Sequence, residues 1–559
     1  MSKPRWWPAV VILVLGAASL VNAWFFKDVI RQARVLQTVQ TTALVVVALL
    51  LWLLFASRLP RRVRLATLGG VIALGLLGRA LFRIRGVTGD VVPILELRWA
   101  RDEAPALPGP RAEDRAPAPT AGVAEPALPP KGEADTKAAA PGPSPAIGSA
   151  VPDGAAAPAF ARVGDYPQFL GPRRDGTLPD LHLARDFAGH PPRRLWRQRI
   201  GAGWSAFAVA GRLAVTQEQR GNEEHVVAYD LATGKPQWSH RDEARYETVI
   251  AGVGPRATPT IVDGRVYAMG GTGILNALDL TTGRRLWTHQ VVEEAGAKLP
   301  DWGKSCSPLV TGGRVIVSAG GADGRSLVAY DAATGAPAWS GGNDRSSYAS
   351  PVLATIAGRP QILMFNQGSV AAHDPETGAV LWEQAFPSEQ PNVAQPVPLP
   401  GDRVLLSAGY GIGAKLYRVA TKDDGGFESR FVWESPRLKS KFANMVVHGG
   451  FVFGLDDGVL TCLDPESGER RWKGGRYGHG QILLVGDLLL VQTEEGEVAL
   501  VEAVPESHRE IARFRILDGK TWNTPALAGS VLLVRNDQEA AAYELALADV
   551  TKAASAGAQ

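Results

Sequence analysis

The sequence has 559 residues, and its 59 Lys and Arg residues nearly balance its 56 Asp and Glu residues, giving a formal net charge of +3. This balance, without a basic stripe carrying interleaved aromatic residues, argues against a nucleic-acid-binding protein. The 62 Gly and 40 Pro residues are typical of a chain with many turns. Its two cysteines, Cys306 and Cys462, lack metal-ligand spacing and leave the redox compartment open.

Three apolar segments predict a membrane anchor over residues 1–99, with transmembrane helices at about 7–26, 38–56 and 65–82. A bilayer core of about 30 Å requires about 20 apolar residues, so the second and third segments need flanking residues to cross it. A cleaved signal peptide is the alternative for the first segment, because residues 21–23 (Val-Asn-Ala) resemble a cleavage site.

Basic residues predict the orientation of this anchor, because they favour the cytoplasmic side. They are Lys3 and Arg5 at the amino end, and Arg58, Arg61, Arg62 and Arg64 in the second loop. The chain is therefore expected to be a multi-pass protein of the inner (plasma) membrane, in contact with lipid through three helices. Everything after residue 82 would then lie on the periplasmic or extracellular side. Basic residues in the first loop and after the third segment favour the opposite orientation, more weakly.

Residues 100–160 are rich in Pro, Ala, Gly and charge, with no aromatic residue between Trp99 and Phe160. Such a composition buries too little apolar surface to fold, which predicts a disordered linker. The linker would hold the following domain near the membrane without fixing its orientation. A disordered tail is expected at residues 549–559.

Between the predicted linker and tail, the pattern Ala-x-Asp-x-x-x-Gly-x-x-x-Trp recurs. In its fifth copy Cys462 replaces the alanine. Degenerate copies end at Trp433 and Phe514, and an isolated tryptophan stands at Trp196. The final aromatic residues are 39 to 52 positions apart, which is the period of a four-stranded propeller blade. The repeat residues are Asp230, Gly234, Trp238, Asp279, Gly283, Trp287, Asp331, Gly335, Trp339, Asp374, Gly378, Trp382, Asp464, Gly468 and Trp472.

Each repeat position has a physical task. The aspartate carboxylate accepts nearby backbone N–H groups in a turn, and the glycine permits a positive φ. The tryptophan is expected to cover the seam between blades. Cys462 and Cys306 occupy positions that are alanine in other copies, so we expect two buried free thiols and no disulfide.

Trp196 decides the blade number. Residues 524–547 supply three strands, and residues 194–197 would supply the missing outer strand of that last blade. This closure removes open sheet edges. The predicted fold is an all-β, eight-bladed propeller of four-stranded antiparallel blades over residues 161–548, after three transmembrane helices and a disordered linker.

The repeat resembles that of the PQQ-like (pyrroloquinoline quinone repeat) β-propeller family, over about residues 166–547. The resemblance implies one of two activities. The outer-membrane-assembly propeller lipoprotein binds partner proteins without a cofactor, whereas quinoprotein dehydrogenases hold PQQ and Ca²⁺ in a central funnel. Residues 166–176 (YPQFLGPRRDG) also resemble the lead-in of PQQ-like repeat proteins, and we interpret them as a strap packed under the propeller.

Aligning the blades identifies candidate funnel-lining residues. The inner-strand starts are Ser205, Thr258, Ser307, Ser350, Gln395, Asn444, Gly480 and Thr524. Just outside them we expect Trp204, Arg256, Lys304, Tyr348, Asn392, Lys441, His479, Trp522 and Asn523. The resemblance to quinoprotein dehydrogenases implies a carboxylate base beside the quinone and usually a vicinal disulfide. The inner ring has no carboxylate, and the chain has no Cys-Cys pair. The side chains of Arg256, Lys304 and Lys441 would favour an anionic ligand, so the sequence does not exclude PQQ binding.

No catalytic or metal-binding residue is assigned from the sequence. Residues 423–426 and 456–458 (Asp-Asp-Gly) lack the spacing of a calcium loop and are interpreted as turns. His479 has no second ligand at metal spacing. We expect a non-catalytic scaffold without a cofactor that binds a protein partner at the propeller rim. The alternative is a PQQ- and Ca²⁺-dependent dehydrogenase that passes electrons to the membrane.

Overall fold

The computed structural model describes residues 5–27, 31–99, 104, 107 and 164–548. Three helices precede the propeller and are long and apolar enough to span a membrane. The predicted linker (100–160), apart from residues 104 and 107, and the predicted tail (549–559) lie outside the described residues. The helices are Trp7–Val21, continued by a π-helical turn Asn22–Phe26; Arg31–Leu51, continued by Trp52–Ala56; and Arg61–Leu81.

The second and third helices begin at Arg31 and Arg61, earlier than their apolar stretches. Good helix formers such as Gln, Ala and Leu extend helix 2 through its polar first turns, and Pro60 stands at the N-cap of helix 3. A β-hairpin follows helix 3 directly. Its strands Phe82–Val87 and Pro93–Leu97 are antiparallel. We name residues 82–97 the juxtamembrane hairpin and residues 88–92 its tip loop.

Eight four-stranded antiparallel sheets form the propeller, confirming the predicted fold class. In each blade the strands, a to d, run outward from the central axis. In chain order the strands of blades 1–4 are Ala208–Ala210, Leu213–Arg220, Glu223–Asp230, Pro236–Asp242; Thr260–Val262, Arg265–Met269, Ile274–Asp279, Arg285–Gln290; Leu309–Thr311, Arg314–Ser318, Leu327–Asp331, Pro337–Gly341; and Val352–Ile356, Arg359–Phe365, Ser369–His373, Val380–Ala385. Those of blades 5–7 are Val397–Leu399, Arg403–Ala408, Gly413–Thr421, Phe427–Ser435; Val446–His448, Phe451–Asp456, Val459–Leu463, Arg470–Arg476; and Gln481–Val485, Leu488–Gln492, Glu497–Glu502, Glu510–Arg515.

Blade 8 joins the two ends of the propeller. Its strands a to c come from the end of the domain, and its strand d, Arg193–Arg199, pairs with Glu539–Glu544. Trp196 lies opposite Ala542, as Trp238 lies opposite Ala228 in blade 1. The predicted closure is therefore confirmed. Strands a to c are Ala526–Ala528, Val531–Arg535 and Glu539–Glu544.

The repeat tryptophans dock on the next blade, except Trp382, whose indole N–H donates to Gln361 Oε1 of its own blade at 2.7 Å. Trp238 donates its indole N–H to Leu280 O at 2.9 Å, and a Cβ on Gly283 would overlap the Trp238 ring. Asp279 Oδ1 accepts the backbone N–H of Thr282 at 2.9 Å, which closes the turn that receives this ring. The turn and seam tasks of the repeat are thus both observed.

A β-bulge identifies the tryptophan position in every blade, because the register shifts just after the residue that faces it. In blade 7 the shift follows Leu500, which faces Ala512. Phe514 was expected at the tryptophan position, and this assignment is wrong by two residues. Phe514 instead stacks with Phe187, with ring centroids 6.3 Å apart. The replacement of the motif by an alanine hid the register of this blade.

Both cysteines are free and buried within the blades, as expected. Cys462 lies opposite Trp472, in the alanine position of its blade. Burial raises the pKa of Cys462 to about 12, so the thiol stays protonated and unreactive. These cysteines are small packing residues.

Residues 164–178 cross the wheel and pack against the a strands of several blades, as the strap interpretation expected. Tyr166 bridges to Val209 in blade 1, and Thr177–Leu178 adds a parallel strand to Gln481–Val485 of blade 7. Between them Arg174, fully buried, donates to Pro351 O at 2.9 Å and Pro308 O at 3.1 Å. The strap therefore closes one end of the axial channel.

Candidate functional site

The predicted inner ring forms contacts between neighbouring blades. Ser307 Oγ accepts the backbone N–H of Thr258 at 2.9 Å, and Ser350 Oγ accepts that of Ser307 at 2.9 Å. Asn444 Oδ1 accepts the backbone N–H of Gln395 at 2.8 Å. The whole ring is buried: Ser205, Thr258, Ser307, Ser350, Gln395, Asn444, Gly480 and Thr524. These polar groups join the blades around the axis.

The side chains of Lys304 and Arg256 also bind protein groups. This differs from the expectation that they would favour an anionic ligand. Lys304 Nζ donates to Ser318 O and Ala319 O, both at 2.8 Å, and to Ser346 Oγ at 2.9 Å. Its burial lowers the pKa of Lys304 to about 8. Arg256 lies over the Tyr246 ring at 4.6 Å and donates to the carbonyls of a neighbouring loop. Burial lowers the pKa of Arg256 to about 10.

Asn392 and Asn523 bind main-chain carbonyls as well. Asn392 Nδ2 donates to Asn366 O at 2.8 Å, and Asn523 Nδ2 donates to Ser205 O at 2.8 Å. The Oδ1 atoms of both residues and Gln395 Oε1 are buried without a protein partner. They are neutral amide acceptors.

Aromatic side chains form a collar at the end of the axis opposite the strap, which we name the mouth. Trp204 and Trp522 have ring centroids 5.0 Å apart, and Phe442 lies 5.0 Å from Trp522. Trp302 lies 6.1 Å from Phe442 and 5.2 Å from Tyr348. The collar residues come from the connections between blades 8 and 1, 2 and 3, 3 and 4, 5 and 6, and 7 and 8.

Two lysines lie over this collar. Lys520 Nζ is 4.0 Å from the Trp522 ring centroid, and Lys441 Nζ is 4.7 Å from that of Tyr410. Burial lowers the pKa of Lys520 to about 8. Burial also lowers the pKa of Lys441, although nearby carboxylates oppose part of that effect. The mouth therefore combines aromatic faces with partly desolvated cations.

The propeller also contributes a carboxylate to the mouth, Glu494, that was not among the predicted site residues. Glu494 lies in the turn between strands b and c of blade 7, and its Oε1 accepts the indole N–H of Trp522 at 2.9 Å. Its Oε2 accepts the backbone N–H of His479 at 3.0 Å. Strand direction alternates within a blade, so b–c turns share a face with the a-strand starts. That geometry was the available signal for Glu494.

The tip loop of the juxtamembrane hairpin occupies part of the mouth. Lys441 Nζ donates to Gly89 O at 2.5 Å, and Lys520 Nζ donates to Val87 O at 2.9 Å. Gly89 N donates to Glu494 Oε1 at 2.6 Å. Beside the loop a cavity of about 360 Å³ remains, bounded by the collar and by Leu36 of helix 2. The mouth thus holds a peptide segment and leaves an apolar space next to it.

The remaining candidates are structural. Asp456 is buried and pairs with Lys439 and Lys473 at the end of its strand, and Asp457, with φ of 48°, makes the turn that follows. Asp424 Oδ1 accepts the backbone N–H of Gly426 within a turn. Among the described residues no group of three His, Cys, Asp or Glu side chains is placed to hold a metal ion.

The strand pairing and the repeat define the class of this protein. It is an eight-bladed PQQ-like β-propeller carrying three helices capable of spanning a membrane. A family model described as outer membrane protein assembly factor BamB matches residues 191–301 and 296–474, half of the chain. The chain belongs to this family, PQQ_2, as the repeat predicted. No curated protein matches the sequence.

Solved structures of two kinds are similar to this chain. BamB from Moraxella catarrhalis is 16% identical, with a TM-score of 0.47 over 63% of this chain and 99% of its own. Quinohemoprotein alcohol dehydrogenase ADHIIG from Pseudomonas putida HK5 is 13% identical, with a TM-score of 0.48 over 70% of this chain and 83% of its own. At these identities the likenesses concern the fold alone.

Proposed function

We propose that this chain is a non-catalytic, membrane-anchored scaffold that binds a protein segment at the mouth of its propeller. One observation carries the proposal: the mouth already holds a polypeptide loop through that loop's main chain. Lys441 binds the loop carbonyl of Gly89, Lys520 binds the carbonyl of Val87 just before the loop, and Glu494 binds a loop N–H. Main-chain hydrogen bonds of this kind give affinity for a peptide, and side-chain pockets beside them give specificity.

We place the propeller on the outer side of the inner membrane. Helix 2 begins at Arg31 and helix 3 ends at Leu81, and both ends lie beside the mouth, where Arg31 Nε is 3.1 Å from Asp90 Oδ2. The arginine-rich loop at residues 58–64 lies at the opposite helix ends. If that loop is cytoplasmic, the mouth lies outside.

The donor set does not fit a quinone-bound calcium ion. Calcium requires six to eight oxygen ligands, with carboxylates among them. The inner-ring hydroxyls and the Asn444 amide join blades, and the unpartnered amide oxygens of Asn392, Asn523 and Gln395 are neutral. Both Glu494 oxygens accept hydrogen bonds from protein groups. These features support binding over catalysis.

Quinone titration tests the absence of catalysis. The full chain in detergent is incubated with PQQ and Ca²⁺, separated from free quinone, and measured for bound quinone by absorbance and for dye-linked alcohol or glucose oxidation. We expect neither. Stoichiometric quinone that disappears in Glu494→Gln, or any PQQ-dependent turnover, contradicts the proposal.

Site-specific photo-crosslinking tests the binding face. A photoreactive amino acid replaces Ile250, which is half exposed beside the mouth, or Phe431, which is equally exposed on the outer strand of blade 5. In cells we expect a discrete protein adduct from position 250 and none from position 431. Equal adducts from both positions, or none from either, contradict binding at the mouth.

A further inference from the structure

The tip loop presents one acidic side chain to the mouth. Asp90 Oδ1 lies 3.3 Å from His479 Nε2, and its Oδ2 lies 3.1 Å from Arg31 Nε. Burial alone would raise the pKa of the Asp90 carboxyl. The hydrogen bond to His479 and the charges of His479, Arg31 and Lys441 lower it by more, so its pKa lies below the ordinary value. The mouth therefore stabilises a carboxylate.

The shape of the loop fits the mouth closely at one point. A Cβ on residue 89 would lie 2.5 Å from His479 Cγ and 2.9 Å from its Cβ, so a side chain there would overlap His479. Val91 has a φ of 64°, which a β-branched residue rarely adopts. The loop thus holds an unfavourable backbone conformation while it occupies the mouth.

The loop fills the polar part of the mouth and leaves the apolar part unfilled. The loop contacts Lys441, Glu494 and His479, and Lys520 binds the carbonyl of Val87 just before it. Trp302 and Tyr348 bound the adjacent cavity of about 360 Å³. A longer segment with the same acidic turn could keep those polar contacts and add an apolar side chain in the cavity. Such a segment would bury more apolar area than the chain's own loop.

We propose that the mouth is a receptor for an acidic loop of a partner protein, and that residues 88–92 occupy it in cis until that loop displaces them. This inference rests on the proposed function and names the chemistry of its ligand. The partner's loop carries a carboxylate next to glycine, with an apolar residue for the cavity. The chain's own loop and the partner's loop would compete for the same contacts. The tether gives the chain's own loop a high effective concentration in this competition.

The test measures binding of a fluorescent cyclic peptide with the sequence of residues 86–94 (GVTGDVVPI) to the full chain in detergent. Gly89→Leu should displace the cis loop by overlap with His479. Gly86→Ala is the matched control, because its Cβ would meet Lys520 Nζ at 3.4 Å and the backbone there needs no positive φ. We expect Gly89→Leu to bind the peptide at least tenfold more tightly than Gly86→Ala or the unmodified chain.

The charge is tested on both partners. A peptide with Asn in place of Asp should bind Gly89→Leu about tenfold more weakly, and Lys441→Met in that background should lose binding of either peptide. Asp90→Asn releases the cis loop without added bulk, so it should also bind the acidic peptide more tightly than the unmodified chain, even if Gly89→Leu folds poorly. Equal affinity of Asp90→Asn and the unmodified chain, or equal affinity for the two peptides, overturns the inference. If position 250 still gives its adduct in that case, the scaffold function stands and the acidic-loop inference alone fails.

Discussion

Replacing Gly283 by alanine should destabilise the propeller far more than replacing Gly264, although both glycines lie in turns of blade 2. Their φ values are 75° and 70°, so alanine is equally strained at either position. The difference is the neighbourhood. A Cβ on Gly283 would lie 2.7 and 3.1 Å from Trp238 ring atoms, whereas a Cβ on Gly264 meets nothing within 4 Å.

The expected difference follows from the seam. The positive φ costs alanine about 1–2 kcal/mol at each position and cancels in the comparison. Overpacking against Trp238 adds about 1–3 kcal/mol. Displacing the ring also loses its 2.9 Å hydrogen bond to Leu280 O, worth about 0.5–1.5 kcal/mol. Gly283→Ala should therefore lose about 2–4 kcal/mol more than Gly264→Ala.

Thermal unfolding of the full chain in detergent measures this difference. A large domain shifts by fewer degrees per kcal/mol than a small one, so we expect Gly283→Ala to melt about 3–6 °C below Gly264→Ala. Trp238→Leu should make room for the new methyl group. In a double-mutant cycle the added cost of Gly283→Ala should then largely disappear. Equal melting temperatures of the two alanine variants, or an undiminished cost in the Trp238→Leu background, would refute tryptophan docking as the seam contact.

Three further predictions concern closure, topology and pH. A chain beginning at Gly201 lacks strand d of blade 8 and should aggregate or melt far below a chain beginning at Phe160; equal melting would contradict closure by the first strand. Alkaline phosphatase fused after Gly164 should be active in a bacterial host, and an inactive fusion with an active cytoplasmic reporter there would reverse the topology. Burial lowers the pKa of Lys304 to about 8, so between pH 8 and its ordinary pKa the unfolded chain binds a proton that the folded chain does not, and stability rises with pH. The stability of the unmodified chain relative to Lys304→Met should therefore increase by about 1 kcal/mol from pH 7 to pH 9, and a constant difference would place this lysine in solvent.

The blades were predictable because each repeat position acts on its immediate neighbours. Asp279 and Gly283 make a turn within five residues, and Trp238 reaches one blade ahead. The sequence pattern therefore carried both the local turn and the contact one period away. It failed at Phe514, where the motif is absent and the bulge alone shows the register.

The mouth was predictable only in part. Alignment of the blades placed Trp204, Trp522 and Lys441 near the axis, but it could not show that the inner-ring hydroxyls join neighbouring blades. Trp302 lies in a long connection with no repeat signal. The loop that binds Glu494 comes from residue 89, far away in sequence and outside the repeat. Periodicity carries no information about such a contact.

The juxtamembrane hairpin also determines which face of the wheel meets the membrane helices. Its first strand begins at Phe82, immediately after helix 3 ends at Leu81, and its tip lies in the mouth. The strap that begins near Gly164 lies on the opposite face of the wheel. The hairpin contact was not predicted from the sequence, which assigned the connection to the propeller to residues 100–160. Because the hairpin holds the mouth toward the helices, the proposed partner loop would reach the collar from the side of the wheel that faces those helices. The exposed Val249 and Ile250 lie at that approach.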